Sequence, residues 1–259
     1  MNNLHNLHNN IKAKINNGGV SVGVFLVSGS PFIAEAMANF PVDWMLIDLE
    51  ASHATNENLL HVLQAISGYD ITPVVRVADQ NRHMIEFCLD LGAKGVMIPK
   101  VDTAEQAAEV SSSCYYPPKG NRGIGGIRAS AFYTNTKEYL DRANDCMLSI
   151  VQIESKESIA NLDGIGSTAN VEILFIGLGD LAASYGQIGN VESKLIDEAR
   201  QKVVAVCRKY NKIPGIYAHS IDVVNQYIDE GFTLIAIGNE IKFISQGFAD
   251  NLNRIGLKS

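Results

Sequence analysis

Eight short runs rich in Val, Ile, Leu and Phe recur along the 259 residues, and most of the gaps between them carry a helical pattern. The runs occupy residues 20–27, 43–48, 72–77, 95–100, 147–154, 172–177, 213–218 and 234–238. A short run with no polar face reads as a parallel strand covered by helices. In the gaps, residues 56–66 place Leu59, Leu60, Leu63 and Ile66 on one face with Val62 beside them. Residues 82–91 do the same with Ile85, Cys88 and Leu89, and residues 103–111 are alanine-rich. Residues 195–210, 220–230 and 240–252 continue the alternation. Strand, helix, strand at this spacing requires right-handed crossovers and a parallel sheet. Eight such units in this length predict an α/β chain closed into a (β/α)8 TIM barrel rather than an open doubly wound sheet. The expected organisation is one domain over residues 1–259, with a polar arm to about residue 10 and a helix from Ile11.

The net charge of −7 argues against nucleic acid and anionic membrane as partners, since both select basic surfaces. No apolar stretch reaches the roughly 18 residues that cross a bilayer. The first ten residues lack the apolar core of a secretory signal. Cys88, Cys114, Cys146 and Cys207 are scattered without a C-x-x-C pair, which predicts free thiols in a cytoplasmic protein. Residues 115–136 form the longest irregular stretch, and a loop of that length in a compact domain reads as a lid or subunit contact. Within it, Gly123-Ile124-Gly125-Gly126 is no dinucleotide fingerprint, because it does not join a strand to a helix.

Polar residues end one strand after another. Asp48 and Glu50 close the second run, Arg76 the third, and Gln152 and Glu154 the fifth. Gly177 and Asp180 close the sixth, His219 the seventh and Gly238-Asn239 the eighth. In a parallel barrel all these ends share one rim, where ligands bind. Glu154 and Asp180 should therefore converge as a seat for a hard divalent cation, with water and substrate oxygens completing its shell. Gln152, two residues before Glu154, falls on the same strand face. Arg76 presents a fixed cationic fork that suits an oxo or carboxylate oxygen. Gly177 lets backbone approach a ligand, and the amides after it can hold a carboxylate. His219 reads as a cap of the helix after its strand, and Lys100 as a weak Schiff-base candidate that the carboxylate pair speaks against.

At this point five segments, in order and at matching spacing, resemble the HpcH/HpaI aldolases, the class II metal-dependent pyruvate aldolases. They are Asp43-Trp44-Met45-Leu46-Ile47-Asp48-Leu49-Glu50, Pro73-Val74-Val75-Arg76, Leu89-Asp90-Leu91-Gly92-Ala93 with its run to Pro99, and Tyr116-Pro117-Pro118-Lys119-Gly120-Asn121-Arg122-Gly123. The last combines Gln152-Ile153-Glu154 with Phe175-Ile176-Gly177-Leu178-Gly179-Asp180-Leu181. The resemblance implies a barrel of the phosphoenolpyruvate/pyruvate-binding type. It implies Glu154 and Asp180 as ligands of Mg²⁺ or Mn²⁺, with Co²⁺ equally suited to such a donor set. It also implies that Arg76 and Gln152 flank the oxo oxygen of pyruvate. The loop of Gly177, Leu178, Gly179 and Asp180 would hold the pyruvate carboxylate. Asp48 would belong to a proton-transfer network, and Asp90 would approach the site of a neighbouring subunit in a homohexamer, a trimer of dimers.

One departure stands out. The family's Asp-x-Glu-His is here Asp48-Leu49-Glu50-Ala51-Ser52-His53, with Ala51 in the histidine position. Either the loop returns His53 to the site as the base, or another group moves the proton: a hydroxide on the metal, or Lys100 or His219 as two other candidates on the rim. The implied reaction is cleavage or formation of a 4-hydroxy-2-oxo acid, giving pyruvate and an aldehyde. A related carbon–carbon lyase or an oxaloacetate-type decarboxylase, and a non-catalytic oxo-acid binder, are the alternatives that Ala51 keeps open.

Overall fold

A computed structural model describes residues 7–257. Eight parallel strands close into a barrel in chain order: β1 Ser21–Leu26, β2 Trp44–Asp48, β3 Thr72–Arg76, β4 Gly95–Ile98, β5 Leu148–Ile153, β6 Ile173–Ile176, β7 Ile213–Tyr217 and β8 Leu234–Asn239. Every strand falls within about a residue or two of its expected run, within the usual scatter of element ends. The first six helices are α1 Asn10–Asn16, α2 Pro31–Ala38, α3 Asn56–Ala65, α4 Arg82–Asp90, α5 Ala104–Ser112 and α6 Thr136–Cys146. The others are α7 Lys156–Ala160, α8 Leu162–Ser167, α9 Leu178–Ser184, α10 Lys194–Tyr210, α11 Val224–Glu230 and α12 Glu240–Arg254.

Strand parity decides what faces the barrel axis. Phe25, Trp44, Leu46, Val74, Met97, Leu148, Ile150, Ile173, Phe175, Leu234 and Ala236 form the inner core. Their neighbours Val24, Leu26, Met45, Ile47, Val75, Val151 and Leu174 pack outward under the helices. Continuing the inward parity to the C-terminal rim gives Asp48, Arg76, Gln152, Glu154 and Gly177. The chemistry of the rim is thus the top layer of the same side chains that fill the barrel. At the opposite end Ile11 of α1, fully buried, plugs the interior. Asn9 caps α1 and donates to the Cys146 carbonyl at 2.8 Å, so the described end of the expected arm is tied down. Residues 1–6 lie outside the described residues.

Two expectations need adjustment. The helix expected at residues 220–230 is a 3₁₀ turn, Ile221–Val223, followed by α11. Its cap is the Ser220 hydroxyl, which accepts from the Asp222 N–H at 3.2 Å; His219 caps nothing. Helices α2 and α6–α9 carry no sequence expectation; three of them, α7, α8 and α9, run only five to seven residues. The four cysteines are free and buried. Among the described residues no helix is long and apolar enough to cross a membrane.

Candidate active site

A cavity of about 570 Å³ opens at the C-terminal rim. Its wall includes Asp48, Ala51, Arg76, Gln152, Gly177, Leu178, Gly179, Asp180, Tyr217, His219 and Asn239, over an apolar floor that includes Phe25 and Phe175.

Asp48 and Arg76 are directly opposed in the β2–β3 register. Asp48 is fully buried and takes a two-pronged contact from Arg76, Nε to Oδ1 at 2.9 Å and Nη2 to Oδ2 at 2.6 Å. Its Oδ1 also accepts the backbone N–H groups of Glu50 and Ala51 at 3.0 and 3.2 Å. Arg76 Nη1 lies 3.2 Å from Glu50, and the guanidinium carbon sits 5.5 Å above the Phe25 ring. Burial opposes the charge on Arg76, but the Asp48 hydrogen bond and the nearby carboxylates outweigh it and raise its pKa. Of five guanidinium N–H groups these contacts use three, which leaves one each on Nη1 and Nη2 for a ligand.

Glu154 follows β5 with its carboxylate buried. Oε1 accepts the Lys100 N–H at 2.8 Å, and Oε2 accepts Gln152 Nε2 at 2.9 Å. Lys100 holds φ at 57°, a left-handed conformation costing a non-glycine residue about 1–2 kcal/mol. Gly177 makes room for the Glu154 carboxylate: a Cβ there would lie 2.8 Å from Oε2. Desolvation is the main reason that the Glu154 carboxyl is pushed up to about 7; Lys100 N–H opposes it, while Glu50 and Asp180 reinforce it. Asp180, in the first turn of α9, is exposed. The buried Gln152 Oε1 has no hydrogen-bond partner.

This shift has a consequence for stability. With the folded pKa above the ordinary 4.5, the folded state holds the proton more tightly than the unfolded chain. The contribution is complete below about 4.5 and disappears as pH rises to about 7. In metal-free protein, urea unfolding from about pH 5 to about pH 8 should cost wild type roughly 3 kcal/mol relative to Glu154→Gln. Equal pH slopes for the two proteins would contradict this.

Not every expected residue gathers here. His53 is exposed and absent from the cavity wall, whereas Ala51 lies on it. Asp90, at the end of α4, is also off the wall and pairs with the buried Arg122 at 2.6 Å. Lys100 extends its side chain into solvent and meets Glu50 at 3.3 Å. Conversely, Tyr217 is a wall residue that sequence reasoning missed. Its place after Gly215 on the inward parity of β7 is the signal that could have found it. Asn239 Nδ2 reaches its hydroxyl at 3.3 Å.

Residues 21–246 match the sequence model of the family described as HpcH/HpaI aldolase/citrate lyase. The chain is 34% identical to the 2-keto-3-deoxy-L-rhamnonate aldolase of Shigella boydii serotype 4, over 95% of this chain and 92% of the relative. It is similar in structure to a HpcH/HpaI aldolase/citrate lyase family protein of Burkholderia cenocepacia, at TM-score 0.91 and 30% identity, covering 96% and 99% of the two chains. The HpcH/HpaI aldolase of Desulfitobacterium hafniense aligns at TM-score 0.89 and 25% identity, covering 96% and 98%.

Proposed function

The chain belongs to the HpcH/HpaI aldolase/citrate lyase family, a lyase of class II aldolase type, and on that premise we propose that it cleaves or forms a 4-hydroxy-2-oxo acid, with pyruvate and an aldehyde as the other side of the reaction. The observation that carries this is that Arg76, Gln152 and Asp180 line one cavity at the rim, with the buried Glu154 carboxylate directly behind the wall and bound to Gln152 at 2.9 Å.

The donor set fits a divalent cation. The Glu154 carboxyl is poorly solvated and feels the charges of Glu50 and Asp180, so it resists ionisation, and a cation would relieve that penalty. The amide oxygen Gln152 Oε1, buried and unpaired, offers a third neutral oxygen. Among the described residues no group of three or more His, Cys, Asp and Glu gathers as a closed metal cage, so water and substrate would complete the shell, as hard cations prefer. A bound Mg²⁺, Mn²⁺ or Co²⁺ would act as a Lewis acid on the 2-oxo group.

The protein's own groups supply the rest. Arg76 offers its two remaining N–H groups to the oxo oxygen, which gains negative charge as the C3–C4 electron pair moves into C2–C3. Asp48 holds that fork rigid, so little reorganisation accompanies the charge change. The N–H groups of Leu178, Gly179 and Asp180, unpaired within the first turn of α9, face a substrate carboxylate. Phe25, Phe175 and Leu178 give the cavity an apolar surface beside the reacting carbon.

Ala51 on the wall favours a second reading, decarboxylation of an oxaloacetate-like acid, which needs no base for a 4-hydroxyl. A panel of 4-hydroxy-2-oxo acids, the 2-keto-3-deoxy sugar acids among them, and oxaloacetate separates the two. Pyruvate and aldehyde in equal amounts from the hydroxy acids support the aldolase; release from oxaloacetate alone supports the decarboxylase.

The proposal includes a homo-oligomer. Of α12 only Glu240 is buried, and Ile241, Phe243, Ile244 and Phe248 are exposed on an amphipathic helix. A second copy covering that face, within the hexamer that the family resemblance implies, removes it from water. Light scattering should give six chains and Phe248→Glu a smaller species; a monomer at micromolar concentration would contradict the assembly.

A further inference from the structure

The base expected after Glu50 is missing from the wall, yet one histidine is present there. Among the described residues that line the cavity, His219 is the only one. It follows β7, on the same wall as Arg76 and Asp180, and is partly exposed. Its ring is gripped at both nitrogens. Nδ1 lies 3.2 Å from the Tyr227 hydroxyl, and Nε2 lies 3.3 Å from Glu192 Oε1.

The two grips differ in rigidity. Tyr227 is buried in α11, packs edge-on against Phe232, and lies under Arg200, whose guanidinium carbon is 5.2 Å from the ring. Arg200 is itself fixed by Glu230 at 2.8 Å and Asp197 at 2.9 Å. Desolvation pushes the Tyr227 hydroxyl up to about 12, so it remains a neutral phenol across the working range. Glu192, in contrast, projects from the loop between α9 and α10 with a side chain 75% exposed. That long, solvent-facing contact is one a substrate hydroxyl can displace.

We propose that His219 is the proton-transfer residue of this enzyme, taking the place of the histidine that Ala51 lacks; this rests on the aldolase reading. In the free site Nε2–H donates to Glu192, which can only accept, and Nδ1 accepts the Tyr227 hydroxyl. Once a substrate hydroxyl displaces Glu192 the ring takes the other tautomer, with Nδ1–H donating to Tyr227 Oη and Nε2 presenting its lone pair. The 4-hydroxyl proton passes to Nε2, the O–H pair becomes the aldehyde C=O, and the C3–C4 pair moves into C2–C3 of the enolate of pyruvate. The imidazolium then donates Nδ1–H to Tyr227 Oη, and the nearby Glu192 carboxylate stabilises the charge created. Its proton returns to C3 and completes pyruvate, so atoms and charge balance. Tyr227 is a positioning residue in this scheme.

The test measures kcat and KM for the best 4-hydroxy-2-oxo acid in wild type, His219→Gln, His219→Asn, Tyr227→Phe and His53→Gln, with and without added imidazole. The expected result is a fall in kcat of about 10²-fold or more in both His219 variants, with KM within about threefold of wild type and partial recovery by imidazole. Tyr227→Phe should lower kcat less, again without moving KM. Retained kcat in a folded His219 variant overturns the assignment, as does loss confined to His53→Gln, while wild-type cleavage leaves the aldolase reading standing. Wild type that cleaves no hydroxy acid overturns that reading and this one with it.

Discussion

Glu154→Gln should lower pyruvate release by at least about 10³-fold and abolish tight binding of Mn²⁺ in calorimetry, while the protein folds as well as wild type. The substitution keeps the shape of the side chain and an oxygen for the Lys100 N–H, but removes the negative charge. The charge is what the folded protein tolerates poorly: burial and the carboxylates of Glu50 and Asp180 lift this group to about 7. A neutral isostere therefore costs the fold nothing at about pH 8 and, on the proposed function, removes the principal ligand of the cation. Stability and function thus move in opposite directions, as expected of a strained functional carboxylate. Metal-dependent turnover near the wild-type rate in this variant would remove Glu154 from the chemistry.

Asp48→Ala should be the most destabilising single change at the rim, by about 3–5 kcal/mol in urea unfolding. Four hydrogen bonds end on the Asp48 carboxylate: two from Arg76 and one each from the Glu50 and Ala51 N–H groups. Removing it leaves the Arg76 guanidinium, only 13% exposed, paired at Nη1 with Glu50 alone. It also releases the turn that carries residues 50–53. Activity should fall with stability, because Arg76 loses the anchor that aims it. Arg76→Met, which removes the cation but leaves Asp48 buried, should also destabilise, and the double variant with Asp48→Leu should lose less than the sum. Additive losses would show that the pair does not act as a unit.

The strands are legible in the sequence because a buried parallel strand has no polar face, so each appears as an uninterrupted apolar run. The rim is legible for the same reason: Asp48, Arg76 and Glu154 are polar residues where such runs end, and parity carries them inward. What is not legible depends on loops. Helices α7, α8 and α9 are too short to show a 3.6-residue period; all three pack against α10, and α8 also against α5. His53 and Ala51 are two residues apart, and only the turn held by Asp48 decides that Ala51 reaches the wall. His219 reads as a cap because a polar residue before a helix usually is one, yet Ser220 takes that role. Its partners Tyr227 and Glu192 lie 8 and 27 residues away on other elements, a separation no local pattern reports.

The central claim is that Glu154 and Asp180 hold a cation that makes carbon–carbon cleavage possible on this rim. Its most direct test is pyruvate release from a 4-hydroxy-2-oxo acid by protein stripped with EDTA, before and after Mn²⁺ or Mg²⁺ is restored. The expected result is no release from the stripped protein and recovery on adding either cation, with Asp180→Asn unresponsive to both. Equal release before and after restoration would contradict the claim.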